Sequence, residues 1–185
     1  MPALPKFLRL TAALAALGLL AACAAGDADL AGPPKPMGDF RLGHNIVVAR
    51  DPAIGPLSRK ASEAEWQTVL TKAIDARFGS YRGSKLYPLG VSVDGYVIAQ
   101  PGLPVVASPK SILVLTVTAW DDAAGAKLNP EAKAITVFEG LSGDTVVGSG
   151  LTRSKPEQMQ ALAANAARAI QNWLLENPHW FGIAE

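Results

Sequence analysis

Residues 111–121, Ser-Ile-Leu-Val-Leu-Thr-Val-Thr-Ala-Trp-Asp, constrain the fold of this chain more than any other stretch. Leu113, Leu115, Val117 and Ala119 alternate with Ile112, Val114, Thr116, Thr118 and Trp120. Such alternation is the mark of a strand, whose successive side chains leave opposite faces. Here both sets are apolar or Thr, which predicts a strand at the centre of a sheet.

Weaker strand patterns surround it. Ile46-Val47-Val48-Ala49 is a short apolar run. Residues 91–100 place Val91, Val93, Val97 and Ala99 on one face, with Gly95 as a bulge. Residues 132–139 alternate again through Ile135 and Val137, and 145–151 follow after a Gly-rich turn, so the later strands read as an antiparallel meander. Two helices are marked by Ser-x-x-Glu capping boxes, Ser62/Glu65 and Ser154/Glu157, in which side chain and backbone satisfy each other's free donors. After the first box, Trp66, Val69, Leu70, Ala73, Ile74 and Phe78 recur at helical spacing up to Gly79. After the second, Met159, Leu162, Ala163, Ala166, Ile170, Trp173 and Leu174 form a stripe that ends at Asn177-Pro178. The order strand, helix, three or four strands, helix predicts an α+β two-layer sandwich. Its largely antiparallel sheet has four or five strands, with both helices on one face.

The chain divides into three parts: residues 1–22, a tether over 23–39, and a domain over 40–185. Lys6 and Arg9 precede an uncharged run from Leu10 to Ala22. That run is about 13 residues, within the ~7–15 of a secretory signal and short of the roughly 20 that span a bilayer. It ends in Leu20-Ala21-Ala22-Cys23, which resembles the lipobox of bacterial lipoproteins at all four positions. The resemblance implies a diacylglycerol thioether on Cys23, cleavage after Ala22 and acylation of the new amine. Several acyl chains anchor stably where one holds only reversibly. In that family an Asp after the Cys retains the protein at the inner membrane. Ala24 and Ala25 stand here instead, which implies the outer membrane, with the domain facing the periplasm. Residues 24–39 carry Pro33, Pro34 and Pro36 among glycines and show no apolar period, as expected of a partly stiffened tether.

Composition excludes several function classes. The chain has 17 basic and 16 acidic side chains; removing Lys6 and Arg9 leaves 15 against 16. That balance speaks against a nucleic-acid partner, and against adhesion to anionic lipid without an acyl anchor. The mean hydropathy of +0.19 is concentrated in the leading segment. Cys23 is the only cysteine, so an internal disulfide or a Cys-rich metal site is excluded. No catalytic constellation and no metal site emerge, and no cofactor is expected beyond the covalent lipid on Cys23. Gly148-Ser149-Gly150 and Gly140-Leu141-Ser142-Gly143 do not fit a nucleophile elbow. His44 and His179 lie at the domain's two ends, away from any nucleophile. Asp121 and Asp122 follow the central strand and, with Glu131, supply the carboxylates for an alternative reading as an envelope hydrolase.

Two apolar features suit a partner surface. The stretch 100–110 brackets Leu103, Val105 and Val106 with three prolines, and a stiff loop loses little entropy on docking. The same loop could instead fold over its own core. Trp180 and Phe181 offer the same choice between an exposed contact and packing beside Phe40. From Trp66, through Leu113 to Trp120, to the Ala-rich run ending at Trp173-Leu174, the outline is similar to small periplasmic accessory lipoproteins of Gram-negative bacteria. Auxiliary lipoproteins of ABC-type lipid transport systems are among those. The resemblance implies a non-catalytic binding or assembly accessory, held to the membrane by its lipid, whose partner is a periplasmic protein or an envelope polymer. A lipid carrier with a cavity between sheet and helices is a further reading, and the narrow Ala face of the second helix argues against it.

Overall fold

The computed structural model describes residues 35–100, 111–139 and 153–183. The strands are β1 (Phe40–Val48), β2 (Ala53–Ile54), β3 (Lys85–Val97), β4 (Ile112–Asp121), β5 (Ala126–Lys127) and β6 (Lys133–Phe138). The helices are α1 (Glu63–Phe78), between β2 and β3, and α2 (Lys155–Leu175), after β6; a 3-10 turn at Pro178–Phe181 closes the described chain. The architecture is α+β.

The sheet is mixed. β1 runs parallel to β3 through the α1 crossover, and two-residue β2 continues the same lane along β3. β3, β4 and β6 form the antiparallel meander, with β5 beside the end of β4. β4 therefore lies between neighbours on both sides, as its two apolar faces require. The 145–151 strand expected from sequence lies outside the described residues.

β3 is longer than the sequence pattern suggests, because Pro88 sits inside a strand that has a neighbour on each side. A proline lacks the N–H that such a strand needs. The parallel neighbour accommodates it: Leu42 pairs with Tyr87 and Asn45 with Leu89, so Gly43 and His44 bulge opposite Pro88. A Cβ on Gly43 would lie 3.0 Å from the Pro88 nitrogen and 3.1 Å from its ring carbons, so any larger residue would have to push that ring back by a few tenths of an ångström. A second irregularity falls between Val93 and Gly95. The bulge is where the sequence places it, but its consequence differs from expectation. One extra residue exchanges the two faces, so Tyr96 and Ile98 are buried while Val97 turns to the other side.

Both helices begin with the expected capping boxes, in which the Ser62 and Ser154 side chains accept from the Glu65 and Glu157 amides. They lie on one face of the sheet, α1 over β1 and α2 over β6 and β4, and pack on each other. They run in the same direction. Near their N-termini Lys155 Nζ meets Glu65 Oε1 at 2.6 Å; towards their C-termini Gln171 Nε2 donates to the Tyr81 hydroxyl at 2.8 Å. The layer between helices and sheet holds Trp66, Leu70, Ile74, Leu113, Leu115, Val117, Ala119, Leu162, Ala163, Ala166, Ile170 and Leu174, each fully buried. At ~1.5–3 kcal/mol for each large apolar side chain removed from water, this layer supplies the main drive to fold.

Candidate functional site

The described chain enters the fold at its aromatic end. Phe40 is 1% exposed and stacks on Tyr87 at 5.5 Å, with Phe78, Tyr81 and Phe181 arranged around it. Met37 is buried. The Tyr81 hydroxyl donates to the Lys35 carbonyl at 2.8 Å, and the Asp39 amide donates to the Phe181 carbonyl at 3.0 Å. Residues 35–39, the last of the expected tether, are thus tied to the packed domain. Burial raises the Tyr81 and Tyr87 phenols above their ordinary range. Hydrogen bonds from the Ser84 side chain and amide hold the Asp39 carboxyl below its own.

Phe181 belongs to this cluster. At 1% exposure it packs beside Phe40, one of the two arrangements the sequence left open, and in this arrangement its ring is not on the surface. The sequence could not decide this, because the docking depends on the 3-10 turn meeting Phe40 from the far end of the chain. Trp180 is half-buried, edge-on to Trp173 at 5.5 Å. Cys23, Leu103, Val105 and Val106 lie outside the described residues, as do the two Gly-Ser motifs.

The other end carries a buried polar group that no local motif announces. Ser111 is fully buried and donates from Oγ to Glu139 Oε2 at 2.6 Å, while accepting from the Ala99 amide at 3.2 Å. Arg153 Nη1 stands 3.4 Å from Glu139 Oε1. Arg59 donates to Gln158 Oε1 and, at 3.4 Å, to the Arg153 carbonyl. These bonds join the loop before α1 to the start of β4, the end of β6 and the start of α2. Arg59 Nε and Gln158 Nε2 are buried and have no partner among the described residues. The arrangement clamps four elements, and its one hydroxyl–carboxylate contact, Ser111 to Glu139, is buried inside the clamp.

Of the carboxylates considered for hydrolysis, Asp121 has a structural partner. Asp121 Oδ1 accepts from the Ala124 amide at 3.0 Å and shapes the turn after β4. Asp122 and Glu131 are exposed. Among the described residues no group of three His, Cys, Asp or Glu side chains could hold a metal ion. His44 and His179 are both exposed. A groove of about 330 Å³ opens between the helices, lined by Ala64, Thr68, Val69, Pro156 and Met159, beside the Glu65–Lys155 pair. The hydrogen bond from Lys155, reinforced by the Ser62 amide, pulls the Glu65 carboxyl down to about 2.

Among the described residues, exposed apolar side chains gather on the sheet face opposite the helices. Ladder pairing places Ile46 beside Gly90, Val48 beside Ser92, Ile112 beside Phe138 and Val97, and Leu86 beside Arg41 on this side. Ile46 is 58% exposed, and Val48, Leu86, Trp120 and Phe138 are each 36–38% exposed. The signal for this surface was present in the second apolar set of β4. It was not legible, because apolar residues on both faces also suit a strand covered on both sides.

No protein-family model matches the chain, and no curated protein does. Solved structures do resemble it at low identity. A candidate lipoprotein from Caulobacter crescentus CB15 is 17% identical over 75% of this chain and 92% of its own, with a TM-score of 0.41. The dodecameric PelC of Paraburkholderia phytofirmans is 14% identical over 73% and 90%, with a TM-score of 0.38. A DUF330 protein of Xanthomonas campestris is 12% identical over 81% and 94%, with a TM-score of 0.48.

Proposed function

We propose that this chain is a lipoprotein anchored through Cys23 at the outer membrane, and that its periplasmic domain is a non-catalytic binding or assembly accessory of the cell envelope. The observation that carries the reading is Leu20-Ala21-Ala22-Cys23 at the end of an uncharged run preceded by Lys6 and Arg9. A thioether-linked diacylglycerol with a third acyl chain gives anchoring of the multi-chain kind, which the near-neutral protein could not obtain from charge. Ala24 and Ala25 favour export to the outer membrane. The domain contributes packed layers and an uncovered apolar sheet face, which suit holding a partner better than turning over a substrate. That partner is a periplasmic protein or an envelope polymer. No cofactor is invoked.

The test is Cys23→Ser. The variant should leave the membrane fraction on cell lysis and lose all labelling by a clickable fatty acid, while the wild type retains both. Undiminished labelling of the variant would refute lipidation at this residue.

A further inference from the structure

We propose that the outer sheet face rests on the surface of the membrane that the Cys23 lipid enters, so that the domain lies sheet-down with its helices turned away from the bilayer. Five of the seven large apolar side chains exposed among the described residues stand on this face: Ile46, Val48, Leu86, Trp120 and Phe138. Short side chains lie between them. Gly90 pairs with both Ile46 and Thr118, and Ser92 pairs with Val48 and Thr116. β3 and β4, which carry the middle of the face, have neighbours on both sides, so their backbone groups are paired within the sheet. The helix side is polar by contrast: it exposes Glu63, Lys72 and Asp75 of α1 and Gln160 and Asn172 of α2.

The attachment of the chain selects this occupant. The described residues begin at Lys35, whose carbonyl accepts from the Tyr81 hydroxyl, and Arg41 already pairs with Leu86 of the face. Cys23 stands twelve residues before Lys35. A lipid on Cys23 therefore holds Lys35 within about 40 Å of the bilayer, at ~3.3 Å per extended residue. A surface anchored in this way has already given up its translational freedom to the lipid, so a modest apolar patch is enough to settle it on the membrane. A separate protein would need matching charge, and the charge here is mixed. Arg41 and Lys127 share the face with Asp94 and Asp122, all four exposed. Nearby, Asp39 is turned to Ser84 and Asp121 to the Ala124 amide. A zwitterionic headgroup layer carries both signs and asks for no such match. Lys127 Nζ lies 5.7 Å from the Trp120 ring centroid. An indole with an ammonium beside it is the pairing that settles at headgroup level. The inference rests on lipidation at Cys23, and it leaves the helix layer for the protein or polymer partner.

A lipidated Cys23 has no free thiol, so a cysteine introduced elsewhere carries the only label. Thr136 is exposed on the outer face, where it pairs with Val114, and Lys72 is exposed on α1. Thr136→Cys and Lys72→Cys are each labelled with the fluorophore NBD in the lipidated protein, which is then reconstituted into phosphatidylcholine vesicles. Phosphatidylcholine bearing a nitroxide near its headgroup should quench the label at 136 by about half and that at 72 by under about a tenth, since contact with the interface is a matter of ~5–10 Å. About 1 M salt should leave that difference in place, because it screens charge attraction and not apolar burial. Ile46→Ser/Val48→Ser/Phe138→Ser should abolish the difference while the lipid keeps the protein on the vesicles, with far-UV circular dichroism unchanged. Mass spectrometry of the Cys23 peptide separates the two readings. A chain without acyl groups would overturn both. A lipidated chain with equal quenching at the two positions, or with none at 136, would overturn this inference alone. So would a photocrosslinker at position 136 that captures a second copy or a different envelope protein, in place of lipid, in intact cells.

Discussion

Phe181→Ala separates a core role from a contact role for the closing aromatic residues. The ring is 1% exposed and lies edge-on to Tyr87 at 4.9 Å and to Phe40 at 5.3 Å. Truncation leaves a void that Phe40, Tyr87 and Phe78 can fill only in part, since Phe40 is also held by its own stacking on Tyr87. Phe-to-Ala changes in such cores cost about 3–5 kcal/mol, and each lost edge contact belongs to that figure. We expect about 4 kcal/mol, a large part of the ~5–15 kcal/mol available to a domain, and a fall in melting temperature of roughly 8–16 °C. Phe181→Leu keeps apolar volume and should recover about half. Trp180→Ala removes a half-buried ring but keeps the backbone carbonyl that accepts from the Tyr87 hydroxyl at 3.1 Å, so it should cost less than Phe181→Ala.

The assay is urea unfolding followed by far-UV circular dichroism, read as a change of midpoint at constant slope. A loss below about 1 kcal/mol for Phe181→Ala would refute the reasoning. It would mean that the 3-10 turn is undocked in solution and that Phe181 is free to meet a partner after all.

Two further outcomes test the two helix N-termini. Glu65 is held at about 2 against an ordinary 4.5, so its contribution is complete above the ordinary value and is lost as pH falls from there towards 2. Its side chain is 43% exposed, which limits the effect to under about 1 kcal/mol after screening; Glu65→Gln should flatten that part of an acid-unfolding curve, and an unchanged acid limb would contradict the pairing with Lys155. Arg153→Ala should cost about 2 kcal/mol in urea, because Glu139, with a side chain 2% exposed, keeps Ser111 but loses its cation. Adding Glu139→Gln should recover part of that loss, and additive losses in the double-mutant cycle would show that the two residues are not coupled.

What sequence conveyed about this fold is what short spacing can carry. The capping boxes at Ser62 and Ser154 are closed within three residues, and the alternation in β4 is a property of the strand itself. Both were therefore readable, and with them the α+β order of elements. The start of β3 was not. Pro88 argues against a strand unless its neighbour can bulge, and that neighbour, Gly43-His44, lies on the other side of a whole helix. Val97 was assigned to the wrong face for a related reason: the bulge at Gly95 was visible, but which residue it displaced depended on pairing with β4. The Arg59–Gln158 and Ser111–Glu139 bonds join residues far apart in the chain, so no motif could announce them.

The same division explains why the two candidate surfaces stand on different footing. The lipobox is local, so its reading rests on four adjacent residues and the run before them. The outer sheet face exists only because β1, β3, β4 and β6 come together, and each strand alone shows just one or two of its side chains. Ile46 looks like a core residue in the run 46–49, yet Val47 and Ala49 take the buried side and leave it 58% exposed. An apolar side chain can remain in water at little cost when it stands singly. Ile46, Val48, Leu86, Trp120 and Phe138 do not stand singly: they share one face of the sheet. That grouping raises the free energy of the face left in water, because contiguous apolar surface costs more than the same side chains scattered.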